Sequence, residues 1–80
     1  MRRVNRSLQV VMRGDRRPER FYWKRKWLRV LSIVDEWREV GDWWQGEGER
    51  RVFAVLADNG GVYELCCDEH DAWQLTKIFD

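Results

Sequence analysis

Residues 50–68, RRVFAVLADNGGVYELCCD, constrain the fold of this chain more than any other stretch. They read as two strands that flank Asn59-Gly60-Gly61. Asn-Gly favours a tight hairpin, because both central residues of a type I′ turn need a positive φ, which Asn tolerates and Gly adopts freely. With Asn59-Gly60 as the loop, Leu56 would lie opposite Tyr63. The apolar face of this predicted β-hairpin carries Val52, Ala54, Leu56, Tyr63, Leu65 and Cys67.

Runs of β-branched and apolar residues predict the other strands. The first covers residues 8–12, and the last covers residues 72–79. Residues 20–23 and 26–34 form a second hairpin around Lys24-Arg25, although neither residue favours a positive φ. Residues 35–40 are ambiguous: Ile33, Trp37 and Val40 have a helical spacing, so we expect an irregular or one-turn helical piece there.

Five strands at regular spacing and no long helical pattern predict an all-β fold. We expect about five antiparallel strands in a meander that forms a small barrel or sandwich. Residues 8–80 would form this single domain, and residues 1–7 a basic N-terminal arm that is frayed unless something holds it. Gly41 and residues 42–49 would form a loop with Trp43-Trp44 at its centre.

Cysteine usage and hydropathy indicate the cellular setting. Cys66 and Cys67 are adjacent and cannot link distant segments, which is typical of a reduced protein and favours the cytoplasm. The first residues lead into no sustained apolar run, and no stretch has the length of a membrane span. We therefore expect neither a signal peptide nor a membrane partner, and the sequence does not indicate an oligomeric state.

The charges are divided unevenly along the chain. Residues 1–30 hold eleven basic and two acidic residues, whereas residues 31–80 hold four basic and twelve acidic ones. Basic residues in the first part alternate with aromatic ones, as in proteins that track phosphates with cations and stack rings on bases. We expect DNA or RNA to contact Arg16, Arg17, Arg20, Tyr22, Lys24, Arg25, Lys26 and Arg29.

Two other interpretations stay open. The alternate aromatics of this stretch could fill the core while its cations pair with acidic strands. The domain could also be a protein-interaction module, either through Trp43 and Trp44, which otherwise plug the open end of a barrel, or through an acidic face. The acidic residues of that face are Asp35, Glu36, Glu39, Asp42, Glu47 and Glu49.

Catalytic and metal-binding patterns are weak. Cys66 and His70 are four residues apart and could make half of a zinc site, but the chain has no second Cys or His pair to complete four ligands. His70 is the only histidine and has no Ser or second base near it in the sequence. We expect no enzyme activity, no cofactor and no metal, with the cysteines reduced and the histidine in a solvated turn.

A series of motifs resembles a known family. The motifs run from Phe21-x-Trp23 and Trp27-x-x-Val30 through Val34-Asp35-x-Trp37-Arg38-Glu39, Gly41-x-Trp43-Trp44-x-Gly46-Glu47, Glu49-Arg50-Arg51 and Gly60-Gly61-Val62-Tyr63-Glu64-Leu65 to Trp73-x-Leu75 and Ile78-Phe79-Asp80. They are similar to an uncharacterised bacterial small β domain, a domain of unknown function, that is related to a C-terminal segment of ImuB-type, Y-family-like polymerases of mutagenic repair. The resemblance covers roughly residues 8–80, and such proteins usually carry Gly where this chain has Arg25. It implies a small β domain with a partner in a repair or polymerase assembly.

Overall fold

A computed structural model describes residues 1–41 and 48–79, which form six β-strands. The strands are β1 Arg2–Met12, β2 Pro18–Trp23, β3 Lys26–Val40, β4 Glu49–Ala57, β5 Val62–Cys67 and β6 Trp73–Phe79. Each strand pairs antiparallel with the next, and β1 also pairs with β6, so the sheet closes into a barrel. The expected all-β antiparallel meander is confirmed, as a barrel with six strands rather than five. No helix in the described part of the chain has the length and apolar character needed to cross a membrane.

Two long strands hold the barrel together because each pairs with two neighbours on different parts of its length. In β1, Arg2 to Leu8 pair with β6, and Gln9 to Met12 pair with β2. In β3, the first four residues pair with β2 and the rest pair with β4. The short strand β2 therefore bridges the last part of β1 and the first part of β3.

These pairings correct two expectations about local structure. Residues 2–7 are not a separate arm, because they lie in β1 and bond to β6. Residues 35–40 are strand, because every one of them lies opposite a residue of β4. The register of β3 shifts between Val30 and Ser32 and again between Ile33 and Asp35. Such bulges break the alternation of a strand, so the apolar residues of β3 do not follow a strict period of two.

The β4–β5 hairpin turns where the sequence predicts, but with a different loop. The loop has three residues, Asp58, Asn59 and Gly60, and Gly60 takes a φ of +84°. The N–H of Gly60 donates to the Ala57 carbonyl (3.0 Å), and the N–H of Ala57 donates to the Gly61 carbonyl (2.9 Å). This is a turn followed by a glycine bulge, a common form of three-residue hairpin loop.

The longer loop moves the register by one residue, so the predicted register is wrong. Phe53 lies opposite Leu65 and Val55 opposite Tyr63. Tyr63 and Leu65 face the core as expected, whereas Leu56 lies opposite Val62 and is partly exposed. The observed register places Phe53 and Val55, both fully buried, in the core, and these fill more volume than Ala54 would.

The core occupies the inside of the barrel and is rich in aromatic rings. Phe21 meets Tyr63 edge-on at 5.3 Å between ring centroids, and Phe53 lies 5.6 Å from Trp73. The side chains of this cluster are Phe21, Leu28, Phe53, Val55, Ala57, Tyr63, Leu65, Cys67, Trp73, Leu75 and Ile78. Cys67 belongs to it and Cys66 lines a cavity on the outside, because adjacent residues of a strand point to opposite faces.

The antiparallel order gives the barrel two ends with different chain segments. The first end, which we call the tip end, carries the start of β1, the β2–β3 turn and the β4–β5 turn. The second, which we call the loop end, carries the β1–β2 turn, the β5–β6 turn, and the adjoining Gly41 and Gly48. Arg16 and Arg17 therefore lie at the opposite end of β2 from Lys24 and Arg25.

Candidate nucleic-acid interface

The β2–β3 turn projects a group of cations that we call the hairpin tip, comprising Lys24, Arg25 and Lys26. Trp23 lies opposite Lys26, so the loop has two residues, Lys24 and Arg25. Their φ values are +51° and +64°. Two consecutive left-handed residues make the turn that fits the twist of a hairpin, but here neither residue is Gly, Asn or Asp. The tip thus keeps two long cationic side chains where the backbone disfavours them, an arrangement typical of functional sites.

Next to the tip, the outer face of β2 and β3 carries a basic-aromatic strip made of Arg20, Tyr22, Trp27 and Arg29. Tyr22 lies opposite Trp27, and the rings meet edge-on at 5.4 Å. They remain 39% and 46% exposed, respectively. The Arg20 guanidinium lies 5.5 Å from the Trp27 ring, and Arg29 lies opposite Arg20. The strip therefore presents ring surface and positive charge together.

The interpretation that alternate aromatics of this segment fill the core holds for only part of it. Phe21 is fully buried, and Trp23 is half-buried against the core. Tyr22 and Trp27 point outward instead. The reason is the strand alternation itself, because Trp27 pairs with outward-facing Tyr22 and its neighbour Leu28 pairs with inward-facing Phe21.

The cations of the tip are not neutralised by the described part of the fold. Among residues 1–41 and 48–79, no carboxylate forms an ion pair with Lys24, Arg25, Lys26 or Arg29. The Lys24 ammonium lies 5.9 Å from the Trp23 ring, a cation–π contact that leaves the charge exposed. Among the described carboxylates, Arg20 has an ion pair only with the neighbouring Glu19, at 4.0 Å.

The structure does not bring Arg16 and Arg17 to this surface. Arg16 pairs with Asp71 at 2.7 Å, and its carbonyl accepts a hydrogen bond from Arg51. Arg17 donates to Glu36 at 2.9 Å, and the same hydrogen bond raises the pKa of Arg17. Both side chains connect the β1–β2 turn to other segments: Arg16 to the β5–β6 turn, and Arg17 to β3. The eight nucleic-acid-binding residues predicted from the sequence are thus divided, six near the tip and two at the loop end.

Three of the four described members of the acidic face, all except Asp35, also find basic partners inside the domain. Glu36 contacts Arg51 at 3.8 Å in addition to Arg17. Glu39 lies 3.7 Å from Arg50, and Glu49 lies 3.0 Å from Arg38. These pairs leave less free negative charge for a basic partner. Asp42, Trp43, Trp44 and Glu47 lie outside the described residues.

Cys66 and Cys67 are buried, whereas His70 is exposed. Burial raises the pKa of Cys67 to about 11 and also raises the pKa of Cys66, so both thiols stay protonated near neutral pH. His70 is 81% exposed in the β5–β6 turn. Within the part of the chain that the structure describes, no three His, Cys, Asp or Glu side chains come together as a metal site.

The tip end also has a cleft of about 400 Å³ that the sequence did not predict. Its lining residues are Arg2, Arg3, Val4, Arg6, Trp23 and Lys24. The three arginines belong to β1, where the register shifts between Arg3 and Arg6 and Asn5 takes a φ of +54°. The cluster of arginines at the start of the chain could have indicated a binding site there. An arm that is frayed has no fixed position, however, so the prediction of an arm at residues 1–7 did not place these arginines next to the hairpin tip.

Comparison with protein families identifies the family of this chain. A family described as a domain of unknown function (DUF6504) matches residues 2–80. Comparison with curated proteins and with solved structures found no match. The family description names no activity.

Proposed function

The chain belongs to the domain of unknown function family DUF6504, and from its geometry we propose that it is a non-catalytic module that binds single-stranded nucleic acid. The hairpin tip and the basic-aromatic strip form the binding surface. The observation that carries the proposal is the exposed Tyr22–Trp27 ring pair, which lies between the cross-strand pair Arg20–Arg29 and the three tip cations.

The two parts of this surface suit the two parts of a nucleotide. Exposed rings stack on bases of any type, which contributes about 1–3 kcal/mol per base. Arg and Lys neutralise phosphates and release their counterions, which makes the affinity depend on salt. A single strand offers both groups at once, since its bases are not engaged in pairing. The strip and the tip therefore favour single-stranded over double-stranded partners.

The motifs resemble a domain family that we expect to be related to a C-terminal segment of ImuB-type polymerases, and on that expectation we propose a setting in a repair or polymerase assembly. In such an assembly the module would hold the single strand that is exposed near a polymerase. We extend the proposal to this setting and to the cytoplasm, on the strength of the motifs and of the adjacent reduced cysteines.

The test measures binding of fluorescently labelled DNA and RNA strands of about 12 nucleotides, a length in the range that small barrels cover, by fluorescence polarisation across a salt titration. Trp27→Ala should weaken binding about 5- to 150-fold, the equivalent of about 1–3 kcal/mol, and leave the salt slope unchanged. Replacing Lys24, Arg25 and Lys26 by Ser should flatten the salt slope by about 0.7 units for each phosphate that these cations neutralise in the parent protein.

Arg38→Ser is the matched control. Arg38 is an exposed arginine, but it lies toward the loop end and pairs with Glu49. Its removal should leave both affinity and salt slope unchanged. Failure of the parent protein to bind either DNA or RNA at low salt would overturn the proposal.

A protein-interaction module is the second proposal. It is supported by three apolar side chains of β3, Leu31, Val34 and Val40, which are 61%, 61% and 78% exposed. These three side chains would form the docking surface, and the sequence adds Trp43 and Trp44, which lie outside the described residues, as candidate contacts. Capture of a defined repair or polymerase partner that is abolished by Val34→Asp, in a protein that binds no nucleic acid, would establish this function instead.

A further inference from the structure

We propose that the cleft between the start of β1 and the hairpin tip binds a backbone phosphate of the same nucleic-acid strand that stacks on the strip. This inference rests on the proposed function and extends the site to Arg2, Arg6, Trp23 and Lys24. It assigns a role to arginines that the sequence placed in an arm.

The charge of the cleft is of one sign. Four of its six lining residues are cationic, and none is acidic. Arg2, Arg6 and Lys24 are exposed, and no carboxylate among residues 1–41 and 48–79 forms an ion pair with them. Guanidinium groups grip a phosphate through two parallel hydrogen bonds, whereas the ammonium of Lys24 acts as a point charge.

Arg3 is shared between two cavities, unlike Arg2 and Arg6. It lines the cleft but also lines a neighbouring cavity of about 250 Å³ that contains Glu39 and Glu64. Glu64 itself accepts a hydrogen bond from Thr76 at 2.6 Å and lies 3.9 Å from Lys77. Arg2 and Arg6 are therefore the arginines that we assign to the phosphate.

The cleft also has an aromatic wall. Trp23 is half-buried against the core and pairs with Lys26, so its ring has a defined position. The Lys24 ammonium, which also lines the cleft, lies 5.9 Å from the centroid of this ring. An aromatic surface beside several cations suits a nucleotide better than a free inorganic anion, because the ring can contact the sugar or base while the cations hold the phosphate.

The position of the cleft relative to the strip suggests the path of the strand. Trp23 points to the inner side of the β2–β3 hairpin, and Tyr22 and Trp27 point to the outer side. The hairpin tip lies between the two sides. A single strand that stacks on the strip can cross Lys24 and Arg25 and place its next phosphates in the cleft. The cations of the hairpin tip and of the cleft would thus lie along one path of the strand.

The test compares the double variant Arg2→Ser, Arg6→Ser with a control of equal charge, Arg13→Ser, Arg38→Ser, whose arginines are exposed near the loop end. The probe is the same labelled single strand, in a salt titration by fluorescence polarisation. Removing two phosphate-binding arginines should flatten the salt slope by about 1.4 units, since each neutralised phosphate of a single strand contributes about 0.7. The control should keep the parent slope, and thermal melts should show that both variants are folded.

Two further arms separate the possible outcomes. Arg2→Lys, Arg6→Lys should restore most of the salt slope, because it keeps the charges. Inorganic tripolyphosphate, as a competitor, should displace the strand only weakly. If tripolyphosphate binding needs Arg2 and Arg6 while strand binding does not, the cleft serves a free phosphate compound and the assignment to the strand is overturned.

The inference and the proposed function fail in different ways. An unchanged salt slope in Arg2→Ser, Arg6→Ser, together with weakened binding in Trp27→Ala, would overturn the cleft alone. No binding of the strand by the parent protein would overturn the proposed function, and the cleft assignment with it.

Discussion

Replacing Arg25 by Gly should stabilise the protein and weaken its binding of nucleic acid at the same time. Arg25 has a φ of +64° and follows Lys24, which has a φ of +51°. Left-handed backbone brings the Cβ of an L-residue too close to its carbonyl oxygen, and Gly has no Cβ. Arg25→Gly removes that repulsion at no cost in side-chain bonding, because the Arg25 side chain is exposed and forms no hydrogen bond or ion pair with the described residues.

The magnitude follows from two opposing effects. Relief of the left-handed strain contributes about 1–2 kcal/mol. The greater freedom of Gly in the unfolded chain offsets about 0.5–1 kcal/mol of that gain. A net stabilisation of about 0.5–1 kcal/mol remains, which corresponds to a rise of about 2–8 °C in the melting temperature of a domain this small.

The assay is a pair of thermal and urea unfolding curves followed by circular dichroism, with Lys26→Gly as the control. Lys26 lies in β3 opposite Trp23, where Gly only weakens a strand, so the control should lose about 0.5–1 kcal/mol. Both variants remove one tip cation and should flatten the salt slope of strand binding by about 0.7 units. A lower melting temperature for Arg25→Gly than for the parent would refute the left-handed turn.

Other predictions concern the core, the thiols and the loop end. Leu65→Ala should lower the free energy of unfolding by about 2–5 kcal/mol, as for a fully buried Leu, and a loss in urea unfolding below about 1 kcal/mol would contradict its burial. Cys66 and Cys67 should react with an aromatic disulfide reagent at neutral pH only after unfolding, since burial raises both pKa values. Stoichiometric zinc in the purified protein would contradict this interpretation of the cysteines. The pKa of Asp15 is lowered to about 2, chiefly by a hydrogen bond from Arg13, so its stabilisation is present above its ordinary pKa of 3.8 and is lost as the pH falls to about 2. Asp15→Asn should therefore lose less stability than the parent over that acid range, and equal losses would show that the Arg13 hydrogen bond is absent in solution.

Local patterns determined the positions of the turns and most of the strands. Asn59-Gly60 marked the β4–β5 turn because few residue types tolerate positive φ. The β2–β3 turn was located at Lys24-Arg25 from the strands on either side, despite its unfavourable residues. The opposite faces of Cys66 and Cys67 followed from strand alternation alone, since adjacent residues of a strand must point apart.

Register and exposure were decided by contacts between distant segments. A three-residue loop instead of a two-residue loop moved Phe53 and Val55 into the core, a choice that depends on the volume of the whole barrel rather than on the turn. Residues 2–7 became part of a strand because β6, more than sixty residues later in the chain, offers them hydrogen-bond partners. No local pattern contains that information.

The candidate site shows the same division. The sequence alone determined that the first part of the chain is basic and aromatic, because composition and order are enough to establish it. Only the tertiary structure decided which cations are available, since Arg17 finds Glu36 and Arg16 finds Asp71, while Lys24 and Arg25 meet no carboxylate among the described residues. The physical reason is that an ion pair needs two groups at bonding distance, and the closure of the barrel sets those distances between residues that are far apart in the chain.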